Sequence, residues 1–144
     1  MPEKIQSIIF IAFVVMIAGC SFQPEPIKIG TDNCSFCKMT ISDPRFGAEI
    51  ITAKGRTYKF DDTHCILSFL QSQMLLQREI KEIYLTDFVN EHSLIKVNEA
   101  FLFKSDVLKS PMNGNVAVFN SKESMQKIIG QFNGTVVKWN DLLK

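Results

Sequence analysis

From Ala48 onward the apolar positions of this chain change period in a fixed order, and the order occurs twice. Ala48 to Ala53 and Arg56 to Phe60 are short apolar-rich runs on either side of Lys54-Gly55, which predicts a β-hairpin. Cys65, Ile66, Phe69, Leu70 and Met74 then recur at helical spacing. A helix is therefore expected from about Thr63 to Gln77, with Asp62 as its N-cap and that stripe as its buried face. Ile83 to Val89 reads as the next strand. In the second half Leu94 to Val97 and Ala100 to Phe103 read as extended, and Val116 to Phe119 as a strand. Ser121 caps a helix with Met125, Ile128, Ile129 and Phe132 at i, i+3, i+4 and i+7, and Thr135 to Trp139 reads as a last strand.

A constant offset of 59 carries Gly55 onto Gly114, Phe60 onto Phe119 and Asp62 onto Ser121. The same offset carries Ile66, Phe69 and Leu70 onto Met125, Ile128 and Ile129. Each half reads as turn, strand, cap and helix, at low identity. The expected fold is α+β: two related ββαβ-type units, about residues 34–90 and 91–144, sharing one core.

The N-terminus carries a different pattern. Lys4 precedes an apolar run from Ile5 to Gly19 that is broken only by Gln6 and Ser7, and Ile17-Ala-Gly-Cys20 closes it. A positive flank, an apolar run and a small-residue cut describe a secretory signal. The run is too short for a span of about 20 apolar residues. A cysteine at the cut resembles the lipobox of bacterial lipoproteins, which implies removal of residues 1–19 and acylation of Cys20. Ser21 to Asn33, polar and holding Pro24, Pro26 and Gly30, reads as a tether. Ser21 after the lipidated cysteine leaves inner and outer membrane open. The chain after the signal keeps 15 basic and 14 acidic residues, scattered, which gives no footprint for nucleic acid. Membrane attachment is thus expected from lipid rather than charge, on the face outside the cytoplasm.

Lipidation of Cys20 leaves Cys34, Cys37 and Cys65, an odd number in a compartment that favours disulfides. Cys34-Ser-Phe-Cys37 by itself admits a redox pair, half a zinc site, a copper site or a structural disulfide. Ser42-Asp43-Pro44 follows too closely for the long helix of a thioredoxin-like site. Zinc wants four ligands, and Cys65 is expected in the core, His64 beside the cap in solvent, and His92 on a loop. Cu(I) prefers thiolate and thioether sulfur. Met39 lies two residues beyond Cys37, on the same side of an extended segment, and Met112 stands in the polar loop Lys-Ser-Pro-Met-Asn-Gly. Met74 and Met125 lie on apolar helical faces and are expected in the core. The candidate ligands are therefore Cys37, Met39 and Met112, with Cys34 as an auxiliary ligand or redox partner. No triad, phosphate loop or paired-carboxylate site is evident, so binding and exchange of a metal are expected rather than catalysis.

Cys34-x-x-Cys37-Lys-Met39-Thr-Ile-Ser-Asp43-Pro-Arg-Phe46-Gly-Ala48 resembles the opening motif of the NosL family, lipoproteins of nitrous oxide reductase maturation. Tyr58-Lys-Phe60-Asp61-Asp62 with Cys65 is similar to its next block, and Ser110-Pro111-Met112 with Gly114 and Val116-Ala-Val-Phe119 to its third. The resemblance implies two ββαβ-type units. It implies Cu(I) held and supplied for the reductase's copper centres, with a periplasmic maturation protein and an ABC transporter as partners. Lys38 departs from the pattern, which commonly has Gly there. The competing readings are a thiol–disulfide oxidoreductase using Cys34 and Cys37, and a structural lipoprotein with a Cys34–Cys37 disulfide.

Overall fold

The computed structural model describes residues 22–144; the signal segment and Cys20 lie outside the described residues. Two antiparallel sheets carry the fold. The first has strands β1 (Ala48–Thr52), β2 (Thr57–Phe60), β3 (Ile80–Thr86) and β4 (Leu94–Lys96), in the order β2-β1-β3-β4. The second has β5 (Phe101–Lys104), β6 (Val116–Phe119) and β7 (Thr135–Val137), in the order β6-β5-β7. Helix α1 (Thr63–Gln71) lies between β2 and β3, and α2 (Lys122–Ile129) between β6 and β7. A short α3 (Trp139–Leu142) ends the chain. Each unit is thus ββαβ with its first strand in the middle, and the fold is α+β.

The offset of 59 has a structural counterpart. It carries β2 onto β6 without a gap or insertion, and the cap Asp62 onto the cap Ser121. The registers agree as well: Phe60 pairs with Ala48, and Phe119 with Phe101, each at the start of a central strand. Both capping side chains accept amide hydrogens of the first helical turn, Asp62 from His64 and Cys65, Ser121 from Ser124. Such caps contribute about 1 kcal/mol each.

Period-two alternation explains how the units join. Leu102, Val116 and Val118 share a core with Ile50, Phe60, Ile66 and Leu85 of the first unit. Their neighbours Phe103, Ala117 and Phe119 point to the opposite face and pack with Met125 of α2. The second sheet therefore lies between the common core and its own helix. Truncating a buried phenylalanine such as Phe60 is expected to cost about 3–5 kcal/mol.

Several boundaries differ from the sequence reading. Helix α1 stops at Gln71: Ser72 Oγ donates to Phe69 O at 2.7 Å, and Gln73 turns the chain with φ 55°. Met74, expected on the buried stripe, therefore lies outside the helix and is 61% exposed. Segment Leu94–Lys96 pairs with β3 and so joins the first sheet rather than the second unit. The last strand ends at Val137, and Trp139 opens α3.

Residues 22–33, read as a tether, are packed on the first sheet. Ile27 is buried and its Cδ1 stands close over Gly47, where an added Cβ would lie 2.9 Å away. The Glu25 N–H donates to Glu49 Oε1 at 3.0 Å, and Gly30 N–H to Ile41 O at 2.9 Å. Lys59 Nζ clamps the segment through Asp32 Oδ2 at 2.8 Å and Pro26 O at 3.0 Å. Polar composition concealed this because backbone groups and Lys59 tie the segment down where only Ile27 and Ile29 reach the core.

Candidate metal site

Cys34 begins a tight turn. Lys38 N–H donates to Cys34 O at 3.0 Å, Cys34 N–H to Met39 O at 2.8 Å, and an Asn33–Thr40 bridge closes the loop. Lys38 sits at φ 67°, the left-handed region where glycine is unstrained. This explains the glycine of the family pattern. Here Lys38 Nζ donates to Ser35 O at 2.6 Å and so braces the turn. The left-handed residue also overturns the expected extended run from Cys37 to Met39, so alternation does not place those two side chains. Met39 is 58% exposed at the rim, and its N–H points at the Cys37 sulfur.

The turn docks on the end of β2, where Ser35 N–H donates to Lys59 O at 2.7 Å. That brings Cys34 and Cys37 to the first turn of α1, where Cys65 stands. The three sulfurs lie within 4.8 Å of one another. Cys34 and Cys65 are buried, Cys37 is half-buried, and all three are free thiols. Sequence reasoning put Cys65 in the core, and its burial agrees with that. The missed signal is its place in the first helical turn, three residues after the cap Asp62, just beyond the strand on which the Cys34 turn docks.

The thiols are not equivalent. A hydrogen bond from the Cys65 thiol, together with N–H groups of Asp61, Cys37 and Phe36, holds the Cys34 thiol down to about 5 against its burial. The same contact with Cys34, and burial, push Cys65 well up. Burial also raises Cys37. The cluster thus holds one thiol shifted down and two shifted up, and a metal held there would displace the protons of the latter. Asp61 lies beneath, its carboxyl raised by burial while its Oδ1 accepts the Ser42 N–H at 3.1 Å.

A second loop closes over the same helix end through Asp62. Its Oδ1 accepts the N–H groups of His64 and Cys65; its Oδ2 accepts Ser110 Oγ–H at 2.7 Å, Met112 N–H at 2.9 Å and Gly114 N–H at 3.1 Å. Gly114 is required by close approach: a Cβ there would run into Thr63 Oγ1 and the His64 backbone nitrogen. Met112 packs half-buried against the common core, as does Cys37. His64 and His92 are exposed and stand outside the thiol cluster, while Met125 is buried under α2.

The arrangement is a cup of three soft donors at a helix N-terminus, with thioethers on the two segments that frame it. That chemistry suits a monovalent soft cation. Among solved structures, the copper chaperone NosL from Shewanella denitrificans matches with a TM-score of 0.71 at 20% identity. The match covers 84% of this chain and 96% of that one, and shows a common fold. No curated protein matches the sequence. The NosL family model matches residues 26–144, which takes in both units and the packed N-terminal segment, and the chain belongs to the NosL family.

Proposed function

We propose that this chain is a lipid-anchored, extracytoplasmic Cu(I) metallochaperone that supplies copper for the copper centres of nitrous oxide reductase. The observation that carries the reading is the meeting of Cys34, Cys37 and Cys65 within 4.8 Å, framed by the segments of Met39 and Met112. Sulfur-only coordination selects Cu(I) over hard ions. Cys37, Met39 and Met112 form the outer donors, and Cys34 and Cys65 the inner ones. An exposed thioether at the rim gives a partner's ligand a place to begin exchange. Acylated Cys20 holds the protein on the membrane, and the periplasmic maturation protein and ABC transporter of the reductase pathway are its partners. A thiol–disulfide oxidoreductase finds some support in the lowered Cys34 thiol, but an attacking thiolate must be reached, and Cys34 is 1% exposed.

Anaerobic titration with a Cu(I) chelator tests the reading. Reduced protein is expected to take one Cu(I). Cys37→Ser loses most of the affinity, and Met112→Leu, which nearly conserves volume, weakens binding without unfolding. Tighter binding of Zn(II) than Cu(I), or wild-type affinity in both variants, overturns it. Loss of copper from nitrous oxide reductase in cells lacking this protein, restored by the wild-type chain alone, tests the destination.

A further inference from the structure

One end of the first sheet gathers four basic side chains. The β1–β2 turn carries Lys54 and Arg56, and β3 begins beside it, because Ala53 N–H donates to Glu79 O at 2.8 Å and Thr52 pairs with Ile80. Lys54, Arg56 and Arg78 line one cleft there, and Lys81 stands next along the chain. All four are exposed, and among the described residues none is in an ion pair. The cleft's acid, Glu79, is occupied: its Oε2 accepts the Leu76 N–H at 2.9 Å. Arg56 lies over the Tyr58 ring at 4.7 Å and Lys81 over the Phe22 ring at 4.7 Å. Large apolar side chains sit among these cations and remain exposed: Phe22, Met74 and Leu76.

The path of the N-terminal segment leads to this end. Ile27 lies at Gly47, Glu25 at Glu49, and Phe22 beside Gly55 and Lys81, so the segment runs along β1 and leaves at the β1–β2 turn. Cys20 is two residues further, a reach of about 7 Å at most. We propose that this end is a membrane-docking face, which seats Phe22 and Leu76 in the headgroup region of an anionic phospholipid bilayer while Lys54, Arg56, Arg78 and Lys81 meet the phosphates. The proposal rests on the lipid-anchor reading of Cys20. Among the described residues no helix is long and apolar enough to cross a membrane. Basic side chains around exposed apolar ones are the composition that binds such surfaces. The thiol cluster meets the other end of β2, at Asp61.

The test uses the full lipidated chain on vesicles of phosphatidylethanolamine and phosphatidylglycerol containing brominated acyl chains. Flotation reads the anchor. Fluorescence quenching reads the face, with Leu76→Trp in a Trp139→Phe background compared with native Trp139. Protein that floats, with the new tryptophan quenched at least about twofold more than Trp139, supports the docking face. Reversing Lys54, Arg56, Arg78 and Lys81 to Glu should then abolish at least about half of that quenching without reducing flotation, because charge attraction to the surface is lost while the acyl anchor stays. Protein that floats with equal quenching at both positions, or with quenching indifferent to charge reversal, overturns the face and leaves the anchor intact. Protein that does not float overturns the anchor and the face with it.

Discussion

Asp62 Oδ2 accepts the backbone N–H of Met112 at 2.9 Å, across a sequence separation of 50 residues. The other oxygen of the same carboxylate caps α1 at Cys65. One fully buried side chain therefore fixes a thiol-bearing helix and a thioether-bearing loop to each other. Replacing it by Asn keeps one acceptor but turns the other oxygen into a donor facing Ser110 Oγ–H and the N–H groups of Met112 and Gly114. Asp62→Asn is expected to lower stability by about 2–4 kcal/mol, since several buried donors lose their acceptor. Copper affinity should fall along with it, by more than in Met112→Leu. Denaturant unfolding and chelator competition on the same samples check this, and wild-type values in both would show that Asp62 does not organise the loop.

Cys65 is the residue whose role differs most between sequence and structure. Its thiol stabilises the Cys34 thiolate, so Cys65→Ala should raise the Cys34 thiol from about 5 toward its ordinary range near 9. The sign is testable in the metal-free protein by ultraviolet thiolate absorbance. The wild type is expected to keep one thiolate from neutral pH down to about 5, and the variant to lose it at a higher pH. A titration unchanged by Cys65→Ala would place the cause in the backbone N–H groups of Phe36, Cys37 and Asp61 instead.

What the chain discloses by itself depends on whether a feature is local. Phe60 and Phe119, with their caps Asp62 and Ser121, are set by period and propensity within about ten residues, and the repeat they mark has its counterpart in the strands and helices. The α1 end was misplaced because Leu70 and Met74 continue a helical stripe that the left-handed turn at Gln73 interrupts. The meeting of Cys65 with Cys34 and Cys37 depends on the docking of the Cys34 turn on β2, a long-range event that spacing does not encode. The packed segment before Cys34 escaped notice for the same reason: Lys59 reaches it across 33 residues.

Lys38 holds a conformation that costs a side chain about 1–2 kcal/mol relative to glycine. Its bond to Ser35 O returns part of that. Lys38→Gly relieves the strain, adds chain entropy to the unfolded state and removes the brace. These terms nearly cancel, so a stability change within about 1 kcal/mol of zero is expected. Cu(I) affinity should stay close to wild type, because the turn geometry favours glycine. Lys38→Val, β-branched and unable to brace, should destabilise by more than 1 kcal/mol, an order-of-magnitude figure for a non-glycine residue in this region. A stable valine variant would mean that position 38 adopts another conformation.

Glu49 gives the fold a pH dependence of its own. It is fully buried on β1; its Oε1 accepts the Glu25 N–H, and its Oε2 has no partner among the described residues. Burial raises its carboxyl to about 7, from an ordinary value of 4.5. Because the folded value is the higher one, the folded state binds the proton more tightly. The associated stability is fully present below about 4.5, falls as pH rises, and is lost above about 7. Its size is on the order of 3 kcal/mol. Glu49→Gln keeps a carbonyl for the Glu25 N–H and cannot ionise. The difference in unfolding free energy between wild type and Glu49→Gln should therefore move in favour of the variant between pH 4.5 and 7 and level off above. Comparing the two proteins cancels the opposing slopes of Asp32 and Asp43, whose lowered carboxyls lose stabilisation in acid. Unfolding curves at several pH values decide it, and a difference that does not change across that window would show Glu49 to be ionised and compensated, with Lys59 as the partner to examine next.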